Sequence, residues 1–73
     1  MSARLLADER WRELFDELRI ALREVNELEP KVLDDESTQA EWTEAWAQYA
    51  GLLGRIAHLH QRLQSRRVEL LGD

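Results

Sequence analysis

The sequence contains no cysteine, and this absence excludes several classes of site. Disulfide bonds, thiolate-ligated zinc, cysteine-held iron–sulfur clusters and thiol nucleophiles all need a residue type that the chain does not have. Any chemistry carried by these residues must therefore come from carboxylates, arginines, one lysine, hydroxyl groups and two histidines.

Residues that interrupt helices are scarce. The 73 residues include one proline and three glycines. Alanine, glutamate, leucine, lysine and arginine together supply 41 residues, a composition typical of long helices and coiled coils. No run alternates polar and apolar residues for long enough to predict a strand. The sequence therefore predicts an all-α fold in a single domain, residues 1–73.

Long apolar runs are also missing. No stretch approaches the roughly 20 apolar residues of a membrane span, and the apolar run 5–7 is too short for the core of a signal peptide. We therefore expect a soluble cytoplasmic protein that does not contact a membrane. The formal charge is −5, which repels phosphate backbones over most of the surface and disfavours nucleic-acid binding.

The first long helix is expected over residues 3–29, with Ser2 as its N-cap. Its apolar positions alternate in spacing between three and four residues, which predicts the stripe of a left-handed bundle. They are Trp11, Leu14, Leu18, Ala21, Val25 and Leu28. Phe15 and Leu22 widen the stripe on one side. Pro30 lacks a backbone N–H and should end the helix.

An acidic turn over 30–37 should lead into a second helix over 38–71. Thr38 and Glu41 have the spacing of a capping box, with Ser37 as an alternative cap. Gly72 follows the last apolar residue, where a glycine commonly ends a helix. A connection this short favours antiparallel neighbours. The predicted fold is therefore a two-helix antiparallel hairpin.

The second helix carries more apolar surface than one neighbouring helix can cover. Its spine recurs every seven residues: Tyr49, Ile56, Leu63 and Leu70. One seam adds Trp42, Trp46, Leu53 and His60 to this spine. The other seam adds Ala45, Leu52 and Leu59. Since each seam needs a partner helix, we predict that the hairpin dimerises into a four-helix bundle.

Charge is distributed unevenly along the predicted hairpin. Pairing the helices about the turn places Val25 near Trp42 and Trp11 near Ile56, and leaves the second helix overhanging by one or two turns. Residues 24–44 hold eight acids and one lysine, whereas the rest of the chain holds seven acids and nine arginines. Because two acidic turns side by side would repel, we predict an antiparallel dimer.

His58 and His60 are two residues apart on the second helix. They point about 200° apart, so one metal ion cannot bind both. His60 lies in the apolar stripe, where it would bond across the bundle or, alternatively, act as a pH-responsive core residue that acid must charge inside the core. The serines have no histidine partner and the carboxylates avoid the stripe, so no catalytic, metal or cofactor site is predicted.

A strip of small residues runs along the second helix away from the spine. It consists of Ala47, Ala50, Gly51, Gly54, Ala57 and His58. Small residues permit close approach by another helix, so the strip is a candidate partner-docking surface. The alternative interpretation is a solvated face that tolerates small residues.

These features predict a non-enzymatic protein-interaction module that acts as a homodimer. Regulators, inhibitors, assembly factors and accessory subunits all fit this description. The architecture, a small acidic helical hairpin that dimerises, resembles the Rop family. The resemblance covers the overall plan and no sequence motif, and it implies binding of paired RNA loops as the alternative function.

Overall fold

The computed structural model describes residues 3–72, so the predicted N-cap Ser2 lies outside the described part of the chain. The elements of the described part are all helices. In chain order they are α1 (Ala3–Ala7), α2 (Glu9–Val32) and α3 (Gln39–Leu71). The two long helices have 24 and 33 residues and pack against each other. They form a rod with dimensions of 49 × 15 × 15 Å. The predicted all-α fold with two long packed helices is confirmed.

The core lies between the predicted stripe of α2 and one of the two seams of α3. It forms two clusters of buried side chains: Leu14, Leu59 and Leu63 toward the termini, and Leu28, Val32 and Ala45 toward the turn. Ala21 and Val25 are buried between them. Fully burying one leucine or valine side chain is worth about 1.5–3 kcal/mol, so these few contacts dominate the stability of the hairpin.

The prediction that Pro30 ends the first helix was wrong. Pro30 lies inside α2, which continues to Val32. Val32 is buried beside Leu28 and Ala45, and its carbonyl accepts a hydrogen bond of 3.1 Å from the indole Nε1 of Trp42. A proline this close to a helix end removes only one backbone bond, and the packing of Val32 offsets that loss.

The longer α2 also corrects the predicted register. Trp42 lies beside Val32 instead of Val25, and Trp11 packs on the cluster that contains Leu63, seven residues beyond the predicted partner Ile56. A shift of one heptad keeps every seam in phase, so the apolar pattern alone fits both registers equally well. The predicted overhang of the second helix is lost, because α1 packs against both long helices at that end.

The first helix is broken at Asp8, which the sequence analysis did not predict. Asp8 has extended backbone angles, and its carboxylate accepts a 2.8 Å hydrogen bond from the backbone N–H of Trp11 as the N-cap of α2. Leu5 is nine residues before Leu14, so an unbroken helix would point Leu5 about 180° away from the core. The break redirects α1, and Leu5 is buried.

The turn between the long helices is held by short-range hydrogen bonds. The Asp34 carboxylate accepts from the backbone N–H of Glu36 at 3.0 Å, and the Ser37 hydroxyl donates to the Asp34 carbonyl at 2.9 Å. Thr38 is the N-cap of α3, as predicted, and accepts from the backbone N–H of Glu41 at 3.2 Å. Gly72 ends α3 with φ of 75°, a left-handed conformation that favours glycine.

A two-pronged ion pair joins the two ends of the chain. Arg66 donates from Nε to Oδ2 of Asp8 at 2.9 Å and from Nη2 to Oδ1 at 2.6 Å. A further bond of 2.9 Å joins Arg66 to Glu69. The hydrogen bonds from Arg66, supported by the backbone N–H of Trp11, lower the pKa of Asp8 from 3.8 to about 2, although partial burial acts in the opposite direction.

The Asp8 ion pair predicts a specific pH dependence. Because its folded pKa is lowered, the stability it contributes is present above about pH 4 and is lost as the pH falls toward about 2. Asparagine keeps the helix cap but not the charge. Asp8→Asn should therefore lower the melting temperature near neutral pH, and the difference from the wild type should shrink in acid, as measured by circular dichroism.

Asp16→Asn is the matched control, because Asp16 lies exposed on the same helix and is 4.0 Å from Arg19 at its nearest. This variant should keep the wild-type pH dependence. Parallel pH profiles for the wild type and Asp8→Asn would contradict the assigned role of Asp8.

Candidate interaction surface

The structure shows which seam of α3 faces α2. The seam with Ala45, Leu52 and Leu59 lies in or against the core. The other seam remains uncovered: Trp42, Trp46, Leu53 and His60 are all exposed. The spine residues Tyr49, Ile56 and Leu70 are half-buried between the two seams.

The uncovered seam begins with an aromatic ladder along α3. The rings of Trp42 and Trp46 meet edge to face with centroids 5.8 Å apart, and Trp46 and Tyr49 do so at 5.4 Å. The outer surface of the ladder is open, since Trp42 and Trp46 are 39% and 40% exposed. Such edge-to-face pairs fix the rings in place and present a preformed apolar surface.

Residues of α2 and the turn extend this surface across the hairpin. Large apolar residues of one side are exposed together, and we call this side the apolar flank. Its members are Leu6, Phe15, Leu22, Leu33, Trp42, Trp46 and Leu53, of which Phe15 alone is half-buried. Contiguous exposed apolar patches on small proteins mark interaction sites more often than isolated residues do.

The opposite side of the hairpin is mostly polar, with Ile20, two residues from Leu22, 50% exposed there. Glu24 is two residues from Leu22 on α2, and Gln48 is two residues from Trp46 on α3, so each pair points about 200° apart. Glu24 and Gln48 line one groove on this polar flank, and Lys31, Glu41 and Gln48 line the next. The hairpin therefore has one apolar flank and one polar flank.

A groove lies at each end of the apolar flank. The turn groove, about 440 Å³, is bordered by Leu33 and Trp42. The terminal groove, about 250 Å³, is lined by Leu6, Trp11, Arg12, Phe15, Asp16 and Arg19. Both seams of α3 were predictable from the sequence, but not which of them stays uncovered. The terminal groove was not predicted, because Leu6 reaches it only through the break at Asp8.

Charge separates along the rod as the sequence predicted. The eight acids of residues 24–44 surround the turn, and the arginines Arg10, Arg12, Arg62, Arg66 and Arg67 lie toward the termini. Among these, Arg66 pairs with Asp8 and Glu69, and Arg10 pairs with Glu13 at 3.4 Å. Arg10, His58, Arg62 and Arg66 line a groove of about 300 Å³ on the polar flank.

His60 is not part of the core of the hairpin, because it lies exposed on the uncovered seam. The small-residue strip is exposed over its full length on the outer face of α3. Apart from its two chain neighbours and the nearby backbone of its own helix, a Cβ atom added at Gly51 or Gly54 would meet no atom within 4 Å. Close packing within the chain therefore does not require either glycine.

The open space at these glycines predicts a gain in stability. Gly51→Ala and Gly54→Ala should each raise the free energy of unfolding by about 0.5–1 kcal/mol, because alanine loses less backbone entropy in a helix. Gly72→Ala is the control with opposite sign, since φ at Gly72 is +75° and a side chain there is strained. Urea denaturation of the three variants would contradict the structure if Gly72→Ala proved the most stable.

Within residues 3–72, no three histidine, aspartate or glutamate side chains come close enough together to hold a metal ion. None of the described helices combines the length and the apolar character needed to cross a membrane.

Comparison with known proteins gives no relative: no protein-family model matches the chain, and no curated protein or solved structure does either.

Proposed function

We propose that this chain is a non-enzymatic helical interaction module that acts as a homodimer, an antiparallel four-helix bundle formed through the apolar flank. The observation that carries the proposal is the uncovered seam of α3. Trp46 and Leu53 are 40% and 46% exposed on one side of the rod, while the other side is mostly polar. A second hairpin offers a surface of matching length and apolar character.

The small size of the single hairpin also supports self-association. Below about 70–80 residues a single core rarely supplies more than about 3–5 kcal/mol, and the core clusters here contain few buried residues. Burying the apolar flank would add stability at about 25 cal/mol per Å² of apolar surface.

The charge separation favours the antiparallel orientation. The acidic turn of one copy would lie beside the arginine-rich terminal end of the other, whereas parallel packing would place two acidic turns together. The dimer would keep the polar flank and the small-residue strip on its outside. These are the surfaces left for another protein, and the cytoplasmic location expected from the sequence belongs to the same proposal.

Sedimentation equilibrium tests the dimer. The wild type should sediment as a dimer at tens of micromolar. Leu53→Glu should weaken the dimer by about tenfold or more, because it places a charge inside an apolar interface. Leu53 is 46% exposed in the hairpin, so the helical content of the monomer should persist.

Gln48→Glu is the matched control, since it adds the same charge to α3 on the polar flank, and it should remain dimeric. A wild-type monomer at these concentrations would overturn the proposal.

A second candidate function is RNA binding, which the groove lined by Arg10, His58 and Arg62 favours. Arginines bind phosphate through charge-assisted hydrogen bonds, and such binding weakens steeply with salt. A gel shift with paired RNA hairpins that salt and Arg62→Glu both abolish would support this function. Under the interaction-module proposal, no shift is expected.

A further inference from the structure

Leu33 is the most exposed large apolar residue in the described part of the chain, at 72%. It follows the last residue of α2 at the tip of the hairpin, and it borders the turn groove together with Trp42. Most of its surface contacts nothing in its own chain. Its side chain can therefore insert into an apolar groove on another molecule.

The terminal groove has suitable chemistry for such a side chain. Three apolar side chains line it, those of Leu6, Trp11 and Phe15. At about 250 Å³, it has room for a single branched aliphatic side chain. It opens on the same apolar flank as Leu33, but near the opposite end of the rod.

The spacing of these features is symmetric about the middle of the apolar flank. In the observed register Asp8 lies beside Arg66 and Val32 beside Trp42, so Leu22 and Leu53 lie at one level. Leu33 is eleven residues beyond Leu22 toward the turn, and Trp11 is eleven residues before it. Each distance is about 16 Å along the rod.

On α3 the same symmetry relates Trp46 and His60. They lie seven residues on either side of Leu53. A two-fold axis running across the apolar flank from Leu22 to Leu53 would stack α2 on α2 and α3 on α3, with the copies antiparallel. It would bring Leu33 of one copy to the terminal groove of the other, and Trp46 to the level of His60 in the other copy.

Charges at the two sites are complementary in this arrangement. Asp34 and Asp35 follow Leu33 at the turn, and the rim of the terminal groove carries Arg12 and Arg19 with one acid, Asp16. The acids of the turn would therefore meet a rim of net positive charge.

We propose that the two-fold axis of the dimer passes beside Leu22 and Leu53, so that Leu33 of each copy fills the terminal groove of the other. This inference rests on the proposed self-association and adds to it a register and a pair of equivalent binding sites. The occupant of the terminal groove is thus a second copy of this chain.

The absence of cysteine from the natural sequence makes the register directly testable by disulfide formation. A mixture of Leu33→Cys and Arg12→Cys full-length chains should form a disulfide-linked dimer under mild oxidation, because such bonds need Cα atoms about 4.4–6.8 Å apart. Leu22→Cys alone should link to itself, since it lies beside the axis. Leu33→Cys alone should not, because its two copies would be about 33 Å apart.

Arg10→Cys mixed with Leu33→Cys is the matched control. Arg10 is two residues from Arg12 and about 200° around the helix, on the polar flank, so no link is expected. Sedimentation equilibrium of the reduced variants shows whether each one dimerises.

The outcomes separate the two proposals. If the reduced wild type is a monomer, the proposed dimer itself fails. If it is a dimer in which Leu33→Cys links to itself, the packing is parallel, and the register inference fails while self-association stands. If it is a dimer in which the Leu33→Cys and Arg12→Cys chains do not link, the terminal groove is not the site of Leu33.

Discussion

Two helices packed side by side can cover only the surface between them, and the rest of this structure depends on that limit. The spine of α3 belongs to two seams, and α2 covers only one of them. The side chains of the second seam, led by Trp46 and Leu53, therefore remain partly in water. Ile20 and Val68 are exposed as well, at 50% and 48%, but neither belongs to this seam.

The break at Asp8 has the same cause, because two packed helices offer few places where an apolar side chain can be buried. A continuous helix would have pointed Leu5 away from the only place where it can be buried. As the N-cap of α2, Asp8 accepts a hydrogen bond from the backbone N–H of Trp11, and it also pairs with Arg66 across the hairpin. One carboxylate thus caps the start of α2 and also binds Arg66 near the end of α3.

Much of the fold could be predicted from periodicity, because stripe width and seam spacing report directly on how helices pack. The stripe of α2, the Thr38 cap and the end at Gly72 all follow the pattern. The register could not be predicted this way, since a heptad shift leaves the seams in phase. The register depended on whether the burial of Val32 could keep the chain helical for two residues beyond Pro30.

The candidate surface was predictable only in part, because it too depends on the register and rotation of the helices. Two seams on α3 were visible in the spacing, but which one faces α2 depends on the register and on the rotation of the helices. The terminal groove forms only because the helix is interrupted at Asp8, and the helix propensities of the surrounding residues do not require that interruption. Leu5, out of phase with the α2 stripe and close to a capping Asp8, was the signal that could have revealed it.

The antiparallel register also determines the order in which the hairpin closes. Contacts between Leu28 and Ala45 span a short loop, while the Asp8–Arg66 pair spans 58 residues. Because the entropic cost of closing a loop grows with its length, folding that begins at the turn can zip toward the termini through successive local contacts. The ion pair is then the last contact to form and the first to open, so α1 and the end of α3 should fray together and exchange their amide protons ahead of the middle of the rod.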